Sequence, residues 1–135
     1  MNRKTKRVVC AGTFDRLHPG HIDFLRQAKA LGNELIVIIG RDENVQRIKG
    51  IKPEPENSRK LNVEKTGIPD KVVLGNLGND PLSILKELLP DIVALGYDQR
   101  VFEERIKGIL PDCQVIRLKP FHPERFKSSF YRNSK

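Results

Sequence analysis

Tryptophan is absent from this 135-residue chain, methionine occurs once and cysteine only twice. Two cysteines cannot build a disulfide framework or a zinc knuckle. Cys10 lies inside the apolar run Val8-Val9-Cys10-Ala11 and reads as a buried thiol, while Cys113 follows Pro111-Asp112. Long apolar runs are missing too. The longest, Leu35-Ile36-Val37-Ile38-Ile39, falls far short of the ~20 residues of a membrane-spanning helix. The basic arm from Met1 to Arg7 is followed only by Val8 to Ala11 before Gly12, too little for the apolar core of a secretion signal. A cytoplasmic chain is the expectation. Acidic residues are in deficit, 17 against 25 Lys+Arg, for a net charge of +8. That balance admits nucleic-acid binding, but the basic residues are scattered except in the N-terminal arm and from Arg117 to Arg132. A basic surface that draws in phosphorylated small molecules accounts for it equally well.

What is present is a steady alternation of apolar patterns. Apolar residues make up 38%, and no internal repeat or long linker divides the chain, so residues 1–135 read as one domain. Residues Val8 to Ala11 are predicted as a first strand. A helix is predicted from Pro19 to Leu31, where Ile22, Leu25, Ala28 and Leu31 recur at helical spacing and Gly32 serves as a left-handed stop. The segment from Glu34 to Gly40 is apolar on both faces, the pattern of a central parallel strand. From Arg41 to Asn57 the chain reads as a polar loop, with Asn57 or Ser58 capping a helix that runs to about Thr66. Further strands are expected over 71–74, 91–95 and 114–118, separated by helices over 80–89 and 100–109. Residues 128–133 are expected to form a short closing helix. This order predicts an α/β fold, a single Rossmann-like domain whose five-stranded parallel sheet carries helices on both faces. Ligands bind such sheets at the carboxyl ends of the strands, so Gly12, Gly40 and Gly96 should share the functional edge.

The stretch Gly12-Thr13-Phe14-Asp15-Arg16-Leu17-His18-Pro19-Gly20-His21 falls between the first strand and the first helix. A glycine turn that lets backbone N–H groups approach an anion, followed by a helix N-terminus, makes a phosphate site. Two of the chain's three histidines, His18 and His21, are spaced to face one spot from the first helical turn. The plain alternative is a pair of solvated histidines at a helix start. Thr13 and Phe14 offer backbone N–H groups to a triphosphate. Lys49 and Lys52 could reach a phosphate from the loop, or simply be solvated. Arg59 stands at a helix start, where the dipole does not favour a cation, so an anion contact is expected there. Asp15 beside a triphosphate must hold either magnesium or a backbone N–H.

The signature resembles that of the nucleotidyltransferase superfamily, which includes glycerol-3-phosphate cytidylyltransferase. Lys49-Gly50-Ile51-Lys52-Pro53 is similar to its lysine loop, Arg59 to its helix-start arginine, Gly96-Tyr97-Asp98-Gln99 to its glycine–aspartate segment and Lys127-Ser128-Ser129 to its C-terminal Ser-Thr motif. Within the superfamily, His18-Pro19-Gly20-His21, Arg41-Asp42-Glu43 with Lys49-Gly50, and Leu95-Gly96-Tyr97-Asp98-Gln99 are most similar to the archaeal FAD synthase family. The resemblance implies transfer of AMP from ATP to FMN, with magnesium carried by the nucleotide and no fixed protein metal site. It further implies that His18, His21 and Lys49 act in catalysis and that Thr13, Phe14, His18, His21, Arg59, Asp98, Ser128 and Ser129 hold the nucleotide. A homodimer is the implied assembly. The arginine segment that precedes the Ser-Thr motif of the cytidylyltransferases has no clear counterpart in Leu118 to Phe126. Phe121, Phe126, Phe130 and Tyr131 instead crowd that region, either as a flavin slot or as packing for the last helix. A cytidylyltransferase for glycerol phosphate or a related small phosphate monoester is the second reading. A non-catalytic nucleotide- or RNA-binding protein is the third.

Overall fold

A computed structural model describes residues 6–77, 83–96 and 101–120. Its five strands are β1 (Arg7–Gly12), β2 (Glu34–Ile39), β3 (Lys71–Leu74), β4 (Ile92–Leu95) and β5 (Gln114–Arg117). They form one sheet in the order β3-β2-β1-β4-β5, with every neighbouring pair parallel. The helices are α1 (Pro19–Lys29), α2 (Asp42–Lys49), α3 (Glu56–Lys65), α4 (Ser83–Leu88) and α5 (Val101–Ile109). Parallel pairing demands a crossover between strands, and the crossovers carry apolar side chains to both faces of the sheet. On one face Leu25 and Ala28 of α1 and Val63 of α3 pack on Val8, Cys10, Leu35 and Val37. On the other, Leu85 of α4 and Ile106 of α5 pack on Val9, Ile36, Val93 and Leu95. The alternation along β1 and β2 therefore sends successive residues into two cores. Burial pushes the Cys10 thiol up to about 12, so it stays protonated and inert.

The chain runs outward from β1 to β3 on one side and from β4 to β5 on the other, which makes the gap between β1 and β4 the switch point. Gly12, Gly40 and Gly75 lie along the carboxyl edge: the Gly40 N–H donates to Gly12 O at 3.0 Å and the Gly75 N–H to Ile39 O at 2.8 Å. Gly96 follows β4 on the same edge.

Three expectations are corrected. The stretch expected as a loop from Arg41 to Asn57 contains α2, a helix that buries only Asn44 and Val45 and so shows no apolar stripe. The next helix begins at Glu56 behind Pro55, without capping by Asn57 or Ser58. Gly32 is not left-handed; among the described glycines the positive φ values belong to Gly50 and Gly67. Gly32 instead makes room for the backbone, because a Cβ there would lie 2.6 Å from Lys6 O. The closing helix expected over 128–133 and the start of the helix expected over 80–89 lie outside the described residues.

Candidate active site

Between β1 and α1 the chain turns within a few residues, and it does so with two non-glycine residues in the left-handed region, Phe14 (φ 54°) and Arg16 (φ 52°). Each costs about 1–3 kcal/mol and persists only where the surroundings hold it. Phe14 is held by burial. Its ring, 4% exposed, lies over Gly12, where a Cβ would approach Phe14 Cε2 to 2.8 Å. It tilts against His21 at 5.4 Å and Phe24 at 6.0 Å between centroids. Glycine at 12 is thus required by the ring that follows it.

The two histidines cap α1. His18 is the N-cap residue, and its Nδ1 accepts from the Gly20 N–H at 3.0 Å. His21 reaches back, its Nδ1 accepting from the His18 N–H at 3.2 Å. This is a capping box in which imidazoles replace the usual Ser/Thr and Glu/Gln. The rings stack at 3.9 Å, 22° from parallel. An Nδ1 that accepts a hydrogen bond carries no proton, so each neutral ring keeps its proton on Nε2. Burial lowers the pKa of His18. Burial, then the neighbouring charges of His18 and Lys49, lower that of His21 to about 4 against the opposing pull of Asp15. Near neutral pH the site presents a pair of uncharged N–H donors.

That depression has a consequence for stability. The unfolded chain takes up the His21 proton near pH 6.5 and the folded chain only near 4, so the stability contributed at neutral pH is lost as pH falls between those values. The loss amounts to up to about 3 kcal/mol. Urea midpoints measured from pH 7 to pH 4.5 should fall, and His21→Asn, which keeps an acceptor at the capping position, should flatten the fall. Parallel declines in both proteins would rule out His21 as the source.

A second set of residues fixes the turn from below. Arg59 is 0% exposed, and its guanidinium donates from Nε to Glu54 O (2.7 Å), from Nη1 to Thr13 O (2.8 Å) and from Nη2 to Asp42 Oδ1 (2.6 Å). Asp15 Oδ1 accepts from the Glu54 N–H at 3.1 Å, and the Arg16 N–H donates to Glu54 Oε1 at 2.9 Å. Asp15 thus holds a backbone N–H, one of the two partners expected for it. The anion that Arg59 meets is a carboxylate of its own chain. Asp42 and Glu56, the first residues of α2 and α3, cap each other's helix: Glu56 Oε1 accepts from the Asp42 N–H (2.8 Å) and Asp42 Oδ2 from the Glu56 N–H (3.1 Å). Arg41 completes the cluster on Glu56 Oε2 at 3.0 Å.

Thr13, Phe14, His18 and His21 therefore share one turn, and Lys49, exposed at the last position of α2, acts electrostatically on His21. Asp98, Ser128, Ser129 and the rings Phe121, Phe126, Phe130 and Tyr131 lie outside the described residues. Sequence reasoning names Asp42 only within a family resemblance, without a role, and misses Glu54 and Glu56. An acidic first turn, a basic last turn and Gly50 in the left-handed C-cap (φ 77°) were the signals available for α2. Among the described residues no three His, Cys, Asp or Glu gather into a metal site, and no helix is long and apolar enough to cross a membrane. An open groove of about 560 Å³ between α1 and β5, lined by Asp23, Gln27, Ile116 and Leu118 among others, contains none of the signature residues.

The sequence and the fold have known counterparts. The family model described as cytidylyltransferase-like matches residues 9–133. The FAD synthase of Methanosarcina barkeri is 50% identical over 120 residues, which cover 83% of this chain and 82% of that one. The FAD synthase of Pyrococcus abyssi is 43% identical over 129 residues, 91% of this chain and 87% of that one. Among solved structures, the lipopolysaccharide core biosynthesis protein from Thermoplasma volcanium superposes with a TM-score of 0.79 at 34% identity, covering 87% of this chain and 98% of its own. A parallel sheet with the order β3-β2-β1-β4-β5, a histidine-capped helix at its switch point and a family match spanning nearly all of its length agree: this chain belongs to the cytidylyltransferase-like family.

Proposed function

We propose that this protein is an FAD synthase, a nucleotidyltransferase that moves AMP from ATP to FMN and releases pyrophosphate. The carrying observation is the histidine capping box at the switch point, in a chain 40–50% identical to several archaeal proteins of that name. An oxygen of the FMN phosphate attacks the α-phosphorus of ATP; the bond from that phosphorus to the bridging oxygen breaks, and pyrophosphate leaves with the electron pair. The attacking phosphate is largely ionised near neutral pH, so no general base is needed. Catalysis is then positioning and charge stabilisation.

The neutral Nε2–H groups of His18 and His21 donate to oxygens of the transferring and leaving phosphates without reorganising, a role worth about 10²–10³ in rate per donor. Held by Arg59 through Thr13 O, the turn offers the amides of Thr13 and Phe14 to the triphosphate. Lys49, whose charge reaches His21, takes phosphate charge, with Lys52 a second candidate for it. Asp98, Ser128 and Ser129 keep their proposed contacts with the nucleotide. Magnesium arrives with the triphosphate, which fits a site rich in amides and imidazoles. A cytoplasmic location, expected from the composition, and a homodimer, as the family resemblance implies, complete the reading.

Pyrophosphate release with ATP or CTP, each paired with FMN or glycerol 3-phosphate, tests it. Turnover confined to ATP plus FMN is the expected result. Turnover confined to CTP plus glycerol 3-phosphate would sink the flavin assignment and leave the chemistry of the histidine pair in place. Nucleotide binding without any turnover would sink the enzyme itself.

A further inference from the structure

Neither α2 nor α3 is capped by the side chain of its own N-cap residue; each is capped by the first carboxylate of the other. Between these two starts the chain makes a closed excursion. It runs along α2 to Lys49, turns at Gly50 and returns over residues 51–55. The excursion is clasped at its base by Asp42 and Glu56 and tied to the signature turn through Glu54. Arg59 touches all the parties: Thr13 O in the turn, Glu54 O at the end of the excursion and Asp42 at its beginning. A guanidinium taken wholly out of water is tolerated only when paired and hydrogen-bonded. Its rigid planar fork then holds three acceptors at fixed relative positions.

We infer that Arg59, Asp42 and Glu56 form a lock that sets Lys49 against the histidine pair, with Arg59 a positioning residue and not a ligand of the triphosphate. The kinetic consequence rests on the adenylyl-transfer reading; the structural consequence does not. If the lock fails, Lys49 drifts from the phosphates, and a displacement of about 1 Å in such a group can cost as much as 10² in rate.

Asp42→Asn is the first variant, because this side chain is 38% exposed and its replacement leaves no cavity. Arg59 and the Glu56 N–H both donate to Asp42, and an amide cannot accept both with two oxygens. Asp42→Asn should slow AMP transfer about tenfold or more, and the double variant with Lys49→Ala should be no slower than Lys49→Ala alone. Multiplying effects would overturn the lock, since its action would not pass through Lys49.

The second readout is the imidazole titration of His21 by NMR in substrate-free protein. The charged groups acting on His21 are His18, Lys49 and Asp15, and Asp15 is held by the Glu54 N–H, which the substitution does not touch. The His21 titration should move upward in Asp42→Asn as it does in Lys49→Ala, and an unmoved curve would overturn the inference. If Asp42→Asn does not fold, Glu56→Gln replaces it in both experiments, keeping an oxygen for the Asp42 N–H and losing the Arg41 ion pair. Wild-type protein with no AMP transfer would remove the proposed function, and the titration alone would then decide the lock.

Discussion

His18→Asn is expected to fold as well as the wild type and to transfer AMP about 10²–10³-fold more slowly, while His18→Gln is expected to lose stability and keep more of the rate. The two amides divide the imidazole between them. Asparagine places its oxygen where Nδ1 stands, so the Gly20 N–H keeps its acceptor and α1 its cap. It carries nothing at the position of Nε2. Glutamine places its amide near Nε2 and restores a donor toward the phosphates, but abandons the cap at a cost of about 1 kcal/mol. Melting curves and kcat from pyrophosphate release, measured on both variants, separate the roles. Equal loss of rate in the two would mean that His18 serves the helix and not the reaction.

Arg59→Met should destabilise the protein by about 3–5 kcal/mol, the range for removing one member of a buried charged pair. Methionine fills much of the space, so the loss is not mainly a cavity. It comes from Thr13 O and Glu54 O, left without their donors, and from Asp42, left without its cation. Set against the 5–15 kcal/mol that hold an average domain together, this is a large share. Urea midpoints would show it directly. A loss below about 1 kcal/mol would mean that water reaches these acceptors in place of the guanidinium, and the lock would lose its physical basis.

Which parts of this molecule were legible in the sequence follows from where each signal resides. β1, β2 and β4 declare themselves because burial on both faces demands unbroken apolar runs, and those runs are visible by eye. The signature turn is equally plain, since its chemistry is packed into ten consecutive residues. By contrast, α2 gains its first cap from Glu56, fourteen positions away, and no local pattern records such a partner. Gly32 has the look of a helix stop because glycine after a helix usually is one, yet the backbone of Lys6 dictates it. Arg59 at a helix start signals an anion contact, but its carboxylate partner in the fold, Asp42, belongs to α2, a helix that shows no apolar stripe. The double duty of His18 and His21, capping through Nδ1 and donating through Nε2, needs the ring orientations and lies beyond any spacing argument.

The mutual capping of α2 and α3 also bears on how this protein can change over generations. A loop whose two ends are fastened together has already met the entropy of closure, and in polymer terms each doubling of its length then adds only about 0.6 kcal/mol. Residues 50–53 lie in such an excursion, outside α2, the sheet and the turn that Phe14 holds in place. Insertions there leave in place the two hydrogen bonds by which His18 and His21 cap α1. The excursion is therefore free to lengthen, while the turn at the switch point and its histidine cap stay as they are.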